Sequence, residues 1–155
     1  MNGRVEILRS RNRLEATFKR ISEIESPELQ ADFAKYLCIL VSGYLEKSIS
    51  QCTLIYANRS GTPQLERFIE KSTRRFTNAN SEKILSLLGS FDPQWRSQLE
   101  VFLVDEKKDA VDSVVDLRNN IAHGKSPGIT FHRIQNYFED VIKVVDRIGE
   151  ICGIV

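Results

Sequence analysis

Hydrophobic periodicity is the feature that most constrains the fold of this chain. Apolar residues recur at spacings of three and four over almost the whole sequence, and no segment alternates apolar and polar residues over the length of a β-strand. Such a pattern forms amphipathic helices that pack on one another. The sequence therefore predicts an all-α fold. Its 155 residues, with 41% hydrophobic and 28% charged content, suffice for a single domain over residues 1–155.

Capping and helix-breaking residues divide this pattern into separate helices. The first helix is predicted over roughly residues 4–24, and Ser26-Pro27-Glu28 is a typical stop and restart signal. A long second helix follows to about Ala57, where residues 58–63 interrupt the pattern. Further helices are expected after Pro63, near Asn80, at Asp92-Pro93, from about Asp105 to Gly124, and from about Thr130 to Gly149. We expect a helical bundle with a long second helix and additional short helices.

The cysteines and the apolar runs exclude several classes of protein. Cys38, Cys52 and Cys152 are odd in number, widely spaced and set among apolar neighbours, which favours reduced core thiols over a disulfide framework or a zinc site. The longest apolar runs, such as residues 37–41, are too short to span a bilayer, and the chain does not begin like a signal peptide. We expect a cytoplasmic protein with no membrane contact, no metal and no cofactor.

Charge gives only local information about partners. The formal net charge of +1 provides no general attraction to nucleic acid, so any basic surface must be local. One basic concentration lies within residues 4–20, and a second is formed by Arg67, Lys71, Arg74 and Arg75. Solvated helix faces are the ordinary interpretation of both, and RNA contact is the less favoured alternative.

Arg118 has an unusual position on the helix that ends near Gly124. At about 100° per residue, Arg118 falls inside the apolar stripe that contains Val114 and Ile121. A guanidinium keeps its charge, so there it needs anionic or carbonyl partners, a cleft or a second subunit. His123 lies about 140° further around a continued helix. The two side chains therefore converge only if the helix breaks near His123, as Gly124 allows, or if one of them comes from another chain.

An arginine, an amide and a histidine suit phosphodiester cleavage without a metal. Imidazole exchanges protons near neutral pH, and guanidinium stabilises the charge that develops on a phosphate. The substrate would be RNA, because the mechanism uses a 2′-hydroxyl that DNA lacks. An arginine five residues before a histidine is by itself common, so the bare spacing decides nothing.

The longer string Arg118-Asn119-x-x-Ala122-His123-Gly124 at a helix end resembles the Arg-x4-6-His signature of HEPN domains, including the polar residue directly after the arginine. Residues 40–49 resemble the second-helix segment of the RiboL-PSP-HEPN subgroup, and residues 131–145 resemble its last helix. The similarity is therefore spread over most of the chain.

This resemblance implies a dimer in which two Arg-His motifs line one cleft, and a metal-independent endoribonuclease that leaves 2′,3′-cyclic phosphate ends. It also implies a toxin or phage-defence effector, with an antitoxin or regulatory protein as a possible partner. His123 would be the general acid and base, Arg118 the phosphate clamp, and Asn119 a group that orients the histidine or the phosphate. Glu46 is a looser candidate that would pair with Arg118 or steer His123, and a plain surface glutamate is the favoured alternative.

Other residues and interpretations stay open at this point. Lys125 and Arg133 could widen a phosphate-binding surface, although solvated basic residues are the ordinary interpretation, and His132 has no partner at a useful spacing. The chain could also be a catalytically inactive HEPN module that binds RNA, a nucleotide or a partner protein. A third alternative is a helical interaction or antitoxin subunit, in which Arg118 and His123 only stabilise a helix end.

Overall fold

The computed structural model describes residues 3–154, and this range contains seven helices and no β-strand. The all-α class predicted from the periodicity is confirmed. The helices are α1 (Gly3–Ser22), α2 (Pro27–Ser60), α3 (Pro63–Thr73), α4 (Ser81–Phe91), α5 (Pro93–Phe102), α6 (Asp105–Ala122) and α7 (Phe131–Ile151). Within the described range, none of them combines the length and the apolar character that a membrane-spanning helix requires.

Short polar side chains begin the helices where the sequence predicted. Ser26 Oγ accepts the backbone N–H of Leu29 at 3.3 Å, and Asn80 Oδ1 accepts that of Lys83 at 2.9 Å. These bonds satisfy donors that the first turn of a helix leaves unpaired. Asp92, Thr62 and Thr130 cap α5, α3 and α7 in the same way.

Two helices run further than the sequence predicted. The second helix, α2, is long as predicted, but it has 34 residues and ends at Ser60 rather than near Ala57. The last helix continues past Gly149 to Ile151, because Gly149 is buried inside the helix and Gly153, with a φ of 72°, supplies the left-handed residue that ends it.

The core forms around α2. Helices α1, α6 and α7 pack against it, α4 and α5 pack on each other beside α6 and α7, and α3 packs on α2. Leu37, Leu45 and Ile49 of α2 are fully buried, as are Val114 of α6 and Val141 of α7. Burial of each such side chain contributes roughly 1.5–3 kcal/mol. A helix as long as α2 is therefore stabilised mainly by its neighbours.

The three cysteines are reduced and buried, which confirms the interpretation of them as core thiols. Burial raises the pKa of Cys38 and of Cys152 to about 12, and burial raises the pKa of Cys52 as well. Because only the thiolate is nucleophilic, these side chains are unreactive at neutral pH.

A polar cluster joins α1, α2 and α7 at the edge of the core. Arg11 Nη2 donates to Asp146 Oδ1 at 2.6 Å and Arg11 Nε donates to Tyr44 Oη at 2.9 Å, while only 14% of the Arg11 side chain is exposed. Burial alone would lower the pKa of Arg11, but the hydrogen bonds to Asp146 and Tyr44 outweigh it and the pKa is raised. The Tyr44 ring also meets Phe138 edge-on, at 5.9 Å between centroids. This cluster fixes α1 and α7 on the same side of α2.

We expect Tyr44→Phe to lower the free energy of unfolding by about 1–2 kcal/mol, because it removes the acceptor of a part-buried charged donor without changing the packing of the ring. The measurement is urea unfolding followed by circular dichroism. Tyr56→Phe is the matched control: Tyr56 is half-buried and its hydroxyl makes no hydrogen bond within residues 3–154, so its effect should stay within about 0.5 kcal/mol. Equal effects of the two substitutions would contradict the role of the Arg11 cluster.

Candidate active site

Helix α6 carries the Arg-His motif from the core to the surface. Ala110, Val111 and Val114 are fully buried against α2 and α7. Residues 117–121 are all half-buried, because the last turns of α6 leave the core. Arg118 therefore lies at the margin of the core, as expected for a cation inside an apolar stripe.

The guanidinium of Arg118 has almost no partner within residues 3–154. Its Nη1 donates one long hydrogen bond, at 3.4 Å, to Oδ1 of the neighbouring Asn119. No carboxylate lies within salt-bridge distance of it in the described range, although a guanidinium has five N–H donors. A half-buried arginine of this kind can bind a phosphate with the two donors of one edge.

His123 occupies the position that ends α6. The backbone N–H of Gly124 donates to Ile121 O at 3.1 Å, and that of Lys125 donates to Asn120 O at 2.9 Å. Together with the φ of 78° at Gly124, these bonds form a Schellman motif, with Gly124 at the left-handed position that the sequence predicted. The imidazole of His123 is exposed.

The helix breaks too late to bring His123 back toward Arg118. The backbone of His123 has a φ of −90° and a ψ of 16°, and its N–H still donates to Asn119 O at 3.0 Å, so it continues the helical path. The two side chains therefore leave α6 about 140° apart. No hydrogen bond joins them in the part of the chain that the structure describes. The sequence left open two ways for these side chains to converge, a break of the helix near His123 or a contribution from another chain. The helix does not break before His123, so the first way does not apply.

The segment after the motif is attached to α2 by a residue that the sequence did not single out. Lys35 Nζ donates to Ser126 Oγ at 2.6 Å. The two residues are 91 positions apart, so no local pattern could have identified the contact. It places the N-terminal half of α2 beside the segment that follows His123.

The two weaker basic candidates are both exposed. Lys125 follows Gly124 directly, and its side chain makes no hydrogen bond within residues 3–154. Arg133 Nε donates to Tyr137 Oη at 2.9 Å one turn later on α7, and this bond raises the pKa of Arg133. Lys125 is therefore available to a ligand near His123, whereas the guanidinium of Arg133 is directed along its own helix.

Glu46 contacts a loop rather than the motif. Its Oε1 accepts the backbone N–H of Asn78 at 2.9 Å, and Asn78 has a φ of 55° in the connection between α3 and α4. A carboxylate hydrogen bond holds this uncommon backbone conformation. Within residues 3–154, Glu46 has no hydrogen bond to Arg118 or His123, so the structure does not bring it together with them.

A groove lined by carboxylates lies on the Asn119 side of α6. Asp112 Oδ1 accepts the backbone N–H of Ser81 at 2.8 Å, and Asp112 Oδ2 accepts Lys108 Nζ at 2.8 Å. Burial alone would raise the pKa of Asp112, but these bonds outweigh it and the pKa is lowered. Asp112 thus stabilises the start of α4. In the described part of the chain, three carboxylates, of Glu82, Asp112 and Asp116, line this groove with the single cation of Lys108, and the excess negative charge makes it unfavourable for phosphate. Within residues 3–154, no group of three or more His, Cys, Asp or Glu side chains could hold a metal ion.

We expect Gly124→Ala to lower the free energy of unfolding by about 1–2 kcal/mol, because an L-residue is strained at a φ of 78° even though open space surrounds the added methyl group. Gly128→Ala is the matched control in the same segment: Gly128 also faces open space and does not have a positive φ, so its effect should be near zero. Urea unfolding measures both. Equal stability of the two variants would contradict the assignment of Gly124 as the residue that ends α6.

The residues described above can be compared with those of known protein families. A protein-family model described as RiboL-PSP-HEPN matches residues 6–153. Comparison with curated proteins and with solved structures gave no match. The family match covers the motif, the long helix α2 and the last helix, and it confirms the resemblance seen in the sequence. The chain therefore belongs to the RiboL-PSP-HEPN family of the HEPN superfamily.

Proposed function

We propose that the chain is a metal-independent endoribonuclease that cuts RNA by attack of a 2′-hydroxyl on the adjacent phosphate. Membership of the HEPN family indicates an RNA-related function. The observation that carries the finer proposal is a half-buried guanidinium without a carboxylate partner in the described range, five residues before an exposed imidazole at the end of the same helix. These are the groups that such a reaction needs.

Each group has one role in the proposed reaction. The imidazole of one His123 takes the proton of the 2′-hydroxyl, whose oxygen forms a bond to phosphorus. The bond from phosphorus to the 5′-oxygen breaks, and that oxygen receives a proton from an imidazolium. Arg118 stabilises the charge on the phosphate oxygens. Asn119, whose Oδ1 accepts a hydrogen bond from Arg118, orients the guanidinium. The products are a 2′,3′-cyclic phosphate and a 5′-hydroxyl.

The reaction site would be completed by a second copy of the chain. Within one chain Arg118 and His123 point in different directions, so one copy does not place both on one phosphate. Next to the motif, α2 exposes Leu29, Phe33, Tyr36 and Ile39, and Tyr36 is 49% exposed. Their spacing of three and four residues is that of helices that pair in a coiled-coil manner. An exposed apolar stripe of this kind is typical of a subunit interface.

The stripe on α2 is self-complementary when two copies run antiparallel. With the two-fold axis near Cys38, Phe33 of each copy would face Gly43 of the other, and an added Cβ at Gly43 would meet nothing within 4 Å. The same arrangement brings the acidic Asp32 close to Lys47 of the other copy. Because Lys35 holds Ser126, the two segments after His123 would lie on either side of the axis. Both motifs would then face one cleft.

We infer that such an enzyme acts in the cytoplasm as a toxin or a phage-defence effector, held in check by an antitoxin or another regulatory protein. Family membership supports this inference. An active endoribonuclease also threatens the RNA of its own cell, so its activity has to be restrained.

The wild-type protein should cleave a structured RNA in the presence of EDTA, and His123→Ala and Arg118→Ala should each lower the rate by about 10²–10⁴-fold, because they remove proton transfer or charge stabilisation. Gel assays and analysis of the cyclic phosphate ends measure this. His132→Ala is the matched control, since its exposed imidazole lies on α7 and should leave the rate unchanged. Expression of the wild type, but not of His123→Ala, should arrest bacterial growth.

Unchanged cleavage by His123→Ala would reject the assigned site. A wild-type protein that binds RNA without cutting it would instead favour the inactive HEPN module.

Tyr36→Glu should convert the dimer to a monomer at micromolar concentration, because it places a charge in the proposed interface. Size exclusion with light scattering measures the mass. Val101→Glu is the matched control: Val101 is 81% exposed but lies on α5, outside the stripe, so the dimer should persist. A wild-type protein that is monomeric under these conditions would contradict the proposed assembly.

A further inference from the structure

The outward face of α3 combines positive charge with an exposed aromatic ring. We call Arg67, Phe68, Lys71 and Arg75 the α3 face; all four are exposed, and Phe68 is 67% exposed. At about 100° per residue, Arg67 and Lys71 lie within roughly 100° of Phe68 on one side of it, and Arg75 follows the end of the helix. The helix packs on α2 through the opposite side, where Thr73 is buried. The α3 face therefore points away from the protein.

No carboxylate neutralises these cations within residues 3–154. None of the side chains of Arg67, Lys71 and Arg75 makes a salt bridge or a hydrogen bond in that range. The two glutamates of α3 lie about 160° around the helix from Phe68, and Glu66 accepts a hydrogen bond from Asn58 of α2 at 3.1 Å. Lys108, Arg147 and Arg96, by contrast, each pair with a carboxylate. The α3 face is thus an unneutralised positive surface around one ring.

We propose that the α3 face binds a single-stranded segment of the RNA substrate, with a base stacked on Phe68 and phosphates contacted by Arg67 and Lys71. This inference rests on the proposed ribonuclease function. Every base has a flat face that can stack on an exposed ring, and cations beside the ring follow the backbone, as in proteins that bind single strands without sequence preference. A duplex keeps its bases stacked on each other and offers none to Phe68.

A groove between α2 and α3 lies beside the α3 face. Lys47 and Gly43 of α2 line the groove beside α3, together with Arg74. The same two residues also line a second groove, which contains Tyr36. An RNA strand that stacks on Phe68 would therefore also lie next to the cation of Arg74, which makes no salt bridge or hydrogen bond within residues 3–154.

The composition of the α3 face favours RNA over an acidic protein. A protein partner requires a buried apolar centre with several anchors, whereas this surface offers Phe68 and the half-exposed Leu65 beside it. An RNA strand contacts every group of this surface, because its bases stack on the ring and its phosphates bind the cations.

The test measures binding of the intact protein to a labelled 2′-O-methyl oligonucleotide of about 12 nucleotides, which cannot be cleaved because its 2′-oxygens are blocked. Arg67→Ala/Lys71→Ala should weaken binding at least tenfold and reduce the slope of log K against log salt by about 1.4, because about 0.7 is lost for each phosphate contact. Phe68→Ala should weaken binding by about 5–100-fold with an unchanged slope, and Phe68→Trp should retain it.

Lys143→Ala/Arg147→Ala is the matched control. It also removes two cations spaced by one turn, but each of them already faces a carboxylate on α7, so binding should be unchanged. Equal urea unfolding of all variants excludes misfolding as the cause of any loss. Binding that is the same in Phe68→Ala or in Arg67→Ala/Lys71→Ala as in the wild type would overturn the proposal. So would equal binding of polyglutamate at the same residues, which would indicate an acidic protein partner.

The outcomes separate this inference from the proposed function. If RNA binding depends on the α3 face but unmodified RNA is not cleaved, the ribonuclease function is rejected and the RNA-binding role of the α3 face is retained. If the protein cleaves RNA but the substitutions in the α3 face leave RNA binding unchanged, the proposed role of the α3 face is rejected and the ribonuclease function is retained.

Discussion

The burial of α2 by three other helices is the constraint on which the rest of this structure depends. Helices α1, α6 and α7 pack against it, and long-range polar contacts then fix further segments to it. Tyr44 accepts a hydrogen bond from Arg11 of α1, and Glu46 accepts one from a backbone N–H in the segment before α4. Lys35 donates a hydrogen bond to the segment after the motif. Lys35 lies about two and a half turns before Tyr44 and Glu46 on the same helix. The position of His123 is therefore set by α2 as much as by α6.

The starts of α4 and α5 and the end of α6 could be predicted from the sequence because capping is local chemistry. Asn80, Asp92 and Gly124 act through backbone groups within a few residues of themselves, and the structure has them where the pattern placed them. The margin position of Arg118 could also be predicted, because it follows from the geometry of a single helix. Such features require no knowledge of which helices are neighbours.

The faces of α2 could not be predicted in the same way. The spacing of Leu29 and Phe33 is continuous with that of the buried Leu37, so the sequence shows one apolar pattern where the structure has a core side and an exposed side. Which side is covered depends on how α1, α6 and α7 pack. Glu46 is a similar case, because its partner is a backbone N–H and carries no signal in the sequence. The bond between Lys35 and Ser126 likewise appears only when the chain is folded.

Separation of the binding surface from the reaction site has a consequence for control of the proposed enzyme. The α3 face belongs to one chain, whereas the cleft would need two, so a single copy would hold RNA without cutting it. Activity would then follow the fraction of chains in the dimer, which depends on protein concentration by mass action. A regulatory protein that covers the exposed stripe of α2 would block the cleft without touching Arg118 or His123. Regulation of this kind acts on assembly, and it leaves the catalytic groups themselves unchanged.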